Sequence, residues 1–145
     1  MNATTLDQAL KQLPHGPEFR FLDRLTGLDP GKSGAGEYKL RGDEPFLRGH
    51  FPGAPIFPGV LLLEAAAQLA GTVAQSDPQF TPLANLRLTA LRAAKILGTA
   101  RPGDVITLQA EITKRLGPLI QAHTSASVDG LSILVAEVTL SGDPP

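Results

Sequence analysis

His50 and Glu64 stand at the two ends of His50-Phe51-Pro52-Gly53-Ala54-Pro55-Ile56-Phe57-Pro58-Gly59-Val60-Leu61-Leu62-Leu63-Glu64, a proline-punctuated segment that runs into an apolar stretch. Histidine is the side chain that titrates near neutrality, and desolvation should push a carboxyl on an apolar helix toward its protonated form. A base and an acid are thus available together. Between them, Gly59 opens a predicted helix just after Pro58, which leaves its amide and that of Val60 among the unpaired N–H groups at the positive end of the helix dipole. Such amides can hold a carbonyl oxygen that gains negative charge. Neutral base, protonated acid and oxyanion site together fit removal of a proton next to a carbonyl, followed by loss of a β-hydroxyl as water.

The elements that must position these groups are legible in the same stretch. Pro52, Pro55 and Pro58 fix φ and remove backbone donors, so the loop is neither helix nor interior strand and is shaped before any ligand arrives. Gly59 to Gln75 is apolar nearly all round apart from Glu64, Gln68 and Thr72 at steps of four. A helix of that kind is buried and shows a single polar line to the protein interior. The plainer reading of Glu64 is a structural hydrogen bond to Gln68 one turn on. For His50 it is a ring satisfying loop carbonyls, although the neighbouring Phe46 and Phe51 argue for a pocket wall.

Around this core the chain reads as α+β. Thr5 with Gln8 forms a capping box ahead of a short helix over Leu6–Leu13 that Pro14 ends. Phe19–Leu28 and Ala35–Leu40 read as strands joined through Asp29-Pro30-Gly31-Lys32-Ser33-Gly34. Leu83–Leu91 is one more strand. Strict alternation through Ile106, Leu108, Ala110 and Ile112, and then through Ile120, Ala122, Thr124, Ala126 and Val128, makes residues 105–140 an antiparallel meander. Pro102-Gly103-Asp104 opens it and Asp129-Gly130 turns its last hairpin.

Composition narrows the function classes. The chain has 145 residues, 42% of them hydrophobic, enough for one domain over 1–145 with a real core. A net charge of −1 offers no electrostatic footprint for nucleic acid. With no cysteine there is neither a thiolate nucleophile nor a disulfide framework, and no segment reads as a signal peptide or membrane span, so the cytoplasm is the expected location. Gly31-Lys32-Ser33 lacks the glycine of a phosphate loop, since Thr26 holds that place. His15 is expected to fix its local turn and His123 to be solvated on the polar side of a strand. His15, His50, Glu64 and His123 include zinc-ligand types without any short ligand spacing, so no metal or other cofactor is expected.

His-Phe-Pro-x-x-Pro-x-x-Pro-Gly-Val-Leu-x-x-Glu-Ala-x-Ala-Gln, from His50 to Gln68, resembles the signature of the FabZ-type (3R)-3-hydroxyacyl-acyl-carrier-protein dehydratases. Leu13-Pro14-His15 with Phe21-Leu22-Asp23-Arg24, and Pro102-Gly103-Asp104, are similar to further segments of that family. The resemblance implies a hotdog fold, an antiparallel sheet wrapped around a long central helix. It implies a homodimer with a continuous sheet, further assembly into a trimer of dimers, and a site built from His50 of one subunit and Glu64 of the other. Phe51, Pro58 and Gln68 would line the substrate pocket, and Gly59 with Val60 would hold the thioester carbonyl. The implied partner is an acyl carrier protein bearing a 3-hydroxyacyl chain, or an acyl-CoA. Glutamate, rather than the aspartate of the bifunctional dehydratase–isomerases, favours plain dehydration. Arg92-Ala93-Ala94-Lys95-Ile96-Leu97-Gly98-Thr99 departs from the family pattern in a segment that shapes the acyl tunnel and its mouth.

Two other functions compete. In a hotdog thioesterase, Glu64 would activate water for attack on the same carbonyl. A non-catalytic acyl-binding or assembly subunit would keep the fold alone, against which the intact His50 and Glu64 stand.

Overall fold

The computed structural model describes residues 2–145. Its centre is the helix α2 (Gly59–Gln75), about 25 Å long at the α-helical rise, with Leu62, Leu63 and every residue from Ala65 to Ala74 buried. Around it curls one antiparallel sheet. The strands are β1 (Arg24–Asp29), β2 (Ser33–Lys39), β3 (Ala84–Ile96), β4 (Val105–Leu116), β5 (Leu119–Val128) and β6 (Leu131–Asp143), in the spatial order β1-β2-β4-β5-β6-β3. This is the sheet-around-helix arrangement that the sequence pattern predicts.

Alternation does its work most plainly in the meander. Ile106, Leu108 and Ala110 of β4 and Ile120, Ala122, Thr124 and Ala126 of β5 are buried, and Thr124, the one hydroxyl among them, donates to the Ala136 carbonyl at 2.8 Å. His123 is exposed on the outer face, as expected. Asp129 and Gly130 both take positive φ, 51° and 79°, which is the turn that a two-residue hairpin of right-handed strands requires. Pro102-Gly103-Asp104 also turns as read, with Gly103 at φ 97°.

The N-terminal third departs from the pattern reading. The first helix, α1, runs from Ala3 to Leu10, capped by Asn2, whose side chain accepts from the Thr5 amide at 3.0 Å. Thr5 is therefore inside the helix, not its cap. The stretch read as a strand from Phe19 begins as a 3₁₀ turn over Pro17–Phe19, and the strand starts only at Arg24. The reason lies in where its backbone bonds go: Phe21 N–H donates to Gln68 Oε1 at 2.9 Å, and the Phe19 carbonyl accepts from Gln68 Nε2 at 2.8 Å. The helix side chain thus takes the place of a neighbouring strand. The strand read over Leu83–Leu91 runs on to Ile96.

β3 lies at a sheet edge and is exposed along nearly its whole length, Leu91 and Ile96 included. The polar line of α2 faces a largely apolar cavity of about 460 Å³, walled by Leu13 and His15 from the segment after α1, by Leu86 and Leu88 of β3, and by Glu64, Gln68 and Thr72 of the helix.

Candidate active site

His50 is delivered by a 3₁₀ turn over Pro45–Gly49. That turn is anchored by Glu44, whose carboxylate accepts from the Tyr38 hydroxyl at 2.7 Å, the Arg41 amide at 3.0 Å and the Gly42 amide at 2.7 Å. Burial alone would raise the Glu44 pKa, but the phenol and the two amides outweigh it and hold the group below the usual carboxylate range. The Tyr38 phenol is pushed up, first by burial and then by Glu44. Beyond the turn the proline loop closes on itself, with the Ile56 amide donating to the His50 carbonyl at 2.9 Å and Ala54 to Phe51 at 2.9 Å. The Phe57 amide ties the loop to Ala100 at 2.8 Å.

The His50 ring is half-buried, stacks on Phe51 at 4.3 Å between centroids, and sets Nδ1 3.0 Å from the Ile56 carbonyl. A carbonyl only accepts, so Nδ1 carries the proton and the lone pair is left on Nε2. That nitrogen can take a proton.

At the start of α2 the amides of Leu61 and Leu62 both reach the Pro58 carbonyl, at 2.9 and 3.2 Å. The amides of Gly59 and Val60 stand ahead of that first intrahelical turn, and Pro58 supplies no side-chain cap. Gly59 also has a packing reason: a Cβ there would come within 2.6 Å of Ile96 Cδ1. One turn on, Glu64 is half-buried, and its Oε2 accepts from Gln68 Nε2 at 3.0 Å and lies 3.2 Å from His15 Nε2.

The contact with His15 was not foreseen. Its turn is fixed by Arg20, which donates through Nη2 to the carbonyls of Leu13 and His15 at 3.2 Å each, while the ring itself turns to Glu64. The signal available in the sequence was the single polar stripe of the helix, which needs partners from whatever element lies across from it. Within one chain the 460 Å³ cavity is lined by Glu64 and Gln68 but not by His50, Phe51, Pro58, Gly59 or Val60. Phe51 lies on a shallow depression with Leu47 and Arg48, and Val60 is 70% exposed. Among the described residues no three His, Asp or Glu side chains gather in a metal-holding cluster.

Residues 13–137 match the model of the FabA-like domain. The chain belongs to the FabA-like family. Curated relatives of this FabA-like chain include the 3-hydroxyacyl-acyl-carrier-protein dehydratase FabZ of Thiobacillus denitrificans, 34% identical over 92% of this chain and 93% of that protein. FabZ of Ruminiclostridium cellulolyticum is 42% identical over 81% of this chain and 82% of its own. Among solved structures, the dehydratase heterocomplex ApeI:P of Xenorhabdus doucetiae superposes with a TM-score of 0.77 at 15% identity, covering 92% of this chain and 90% of that one. Zebrafish thioesterase superfamily member 2 does so at 0.72 and 14%, covering 97% and 98%. These likenesses show the hotdog fold, and the curated relatives narrow the FabA-like chain to its FabZ-type dehydratases.

Proposed function

We propose that the chain, acting as one hotdog domain, is a hydro-lyase that converts a (3R)-3-hydroxyacyl thioester, carried on an acyl carrier protein, to the trans-2-enoyl thioester in fatty acid biosynthesis. The observation that carries the chemistry is the His50 tautomer: with Nδ1–H spent on Ile56, the Nε2 lone pair is the free base, in a chain of a dehydratase family. His50 Nε2 takes the proton from C2, and the electron pair left behind is drawn toward the thioester carbonyl, whose oxygen the Gly59 and Val60 amides hold. As the C2–C3 double bond forms, the C3–O bond breaks and Glu64 protonates the departing hydroxyl, which leaves as water. Proton return from His50 to Glu64 resets the pair.

Two features support a shared site in a homodimer. Within one chain Glu64 lines the cavity and His50 does not. The exposed β3 edge, with Leu91 and Ile96 uncovered, is the kind of long apolar strand that calls for a partner strand. A second copy pairing β3 to β3 in antiparallel fashion would extend the sheet and cover that edge, and dimers could assemble further in threes. Among the described residues no helix is long and apolar enough to cross a membrane, and the reading carries the cytoplasm with it as the place of action.

The test is a turnover assay with 3-hydroxyacyl thioesters of graded length on acyl carrier protein and on coenzyme A. Dehydration keeps the thioester and adds enoyl absorbance; release of free thiol without enoyl product would replace this reading with hydrolysis.

A further inference from the structure

The segment between α1 and β1 places His15 against Glu64, an arrangement that acid–base chemistry by His50 and Glu64 does not itself call for. Glu64 Oε2 accepts from Gln68 Nε2 at 3.0 Å and lies 3.2 Å from His15 Nε2, while Oε1 has no protein partner among the described residues. The two oxygens are therefore not equivalent. The His15 ring is itself held: its backbone carbonyl accepts from Arg20 Nη2, and the ring stacks on Phe19 with centroids 6.3 Å apart and planes 22° off parallel. His15 Nδ1 is buried and without a partner. An unpaired N–H costs free energy when buried, so the tautomer with hydrogen on Nε2, the nitrogen 3.2 Å from Glu64 Oε2, is favoured over the one with hydrogen on Nδ1.

We propose that His15 is a positioning residue for Glu64, donating from Nε2 to Oε2 so that Oε2 behaves as the carbonyl oxygen of the acid and Oε1 is the oxygen that carries and delivers the proton. The inference rests on the dehydratase reading for its kinetic consequence. Gln68 alone is one donor and leaves the carboxyl free to swing about that contact. A second donor from a different element, one that also walls the 460 Å³ cavity, fixes which oxygen points away from the helix partner. His15 does not touch the reacting atoms.

Three variants test this: His15→Leu, His15→Gln, whose amide nitrogen falls near the place of Nε2, and His15→Leu combined with Glu64→Gln. A positioning role predicts that His15→Leu lowers kcat by about tenfold or more with KM little changed, since loss of alignment is felt in the chemical step. His15→Gln should regain most of that loss. Added to Glu64→Gln, His15→Leu should cost nothing further, because its effect travels through the acid. Unchanged kcat in His15→Leu, no recovery in His15→Gln, or the same fractional loss in the Glu64→Gln background would each overturn the proposal. A wild-type protein without dehydratase turnover would sink the functional reading alone. The pairing is then decided by long-range ¹H–¹⁵N correlation at mildly alkaline pH: an Nε2–H tautomer for His15 whose signal moves on Glu64→Gln supports it, and an Nδ1–H tautomer overturns it.

Discussion

Gln68 ties Glu64 to the strand-like segment before β1: its Nε2 donates both to Glu64 Oε2 at 3.0 Å and to the Phe19 carbonyl at 2.8 Å, while its Oε1 accepts from Phe21 N–H at 2.9 Å. One buried amide thus holds the candidate acid and satisfies backbone that has no neighbouring strand. Gln68→Met should leave the buried Phe21 donor unpaired, at about 1–3 kcal/mol. Denaturant unfolding at fixed protein concentration measures it, and a loss below about 1 kcal/mol would contradict the role given to this amide.

Removal of either acid–base group should stop the chemistry and spare the fold. His50→Ala and Glu64→Gln are each expected to lower kcat for a 3-hydroxyacyl thioester by about 10²–10⁴-fold with unchanged circular dichroism. Near-normal turnover in either variant removes that residue from the mechanism.

Gly59 serves two ends, an unpaired amide and close approach to β3. A methyl group there meets the tip of Ile96, so Gly59→Ala should push the helix start or the Ile96 side chain aside and lower kcat. Ile96→Val removes the Cδ1 atom in the way. The double variant should therefore recover turnover relative to Gly59→Ala, and failure to recover would trace the loss to something other than this contact.

Acid should loosen the loop that delivers His50. The Glu44 pKa is lower in the folded chain than in the unfolded one, so its contribution to stability is complete above the ordinary glutamate value and is lost as pH falls through the folded value. Glu44→Gln should lower stability at neutral pH and flatten the fall on the acid side. Thermal melts of both proteins between neutral and strongly acidic pH check this; parallel curves would mean that Glu44 does not anchor the turn.

How far the sequence reaches depends on whether an element's bonds are local. The α2 boundaries, the meander and the Asp129-Gly130 turn follow from periodicity and turn chemistry, and all are found where the pattern puts them. Phe19–Phe21 reads as strand yet is none, because the partner of the Phe21 amide and the Phe19 carbonyl is a glutamine side chain on α2, which no local pattern announces. The His15–Glu64 contact escaped for the same reason: a lone histidine in a turn reads as local until the fold brings α2 across from it. The expectation that a second subunit supplies half of the candidate site rests on family resemblance, since no single-chain pattern encodes the neighbour of an exposed edge strand.

The most direct test of a site shared between subunits is complementation. His50→Ala and Glu64→Ala proteins, each inactive alone, are mixed under mild dissociating conditions and allowed to reassemble. In a mixed dimer one site gathers both lesions and the other gathers an intact His50 and an intact Glu64, so dehydration of a 3-hydroxyacyl thioester should return toward the level expected of one working site per mixed dimer. Mixed dimers that demonstrably form and yet stay inactive would contradict the shared site.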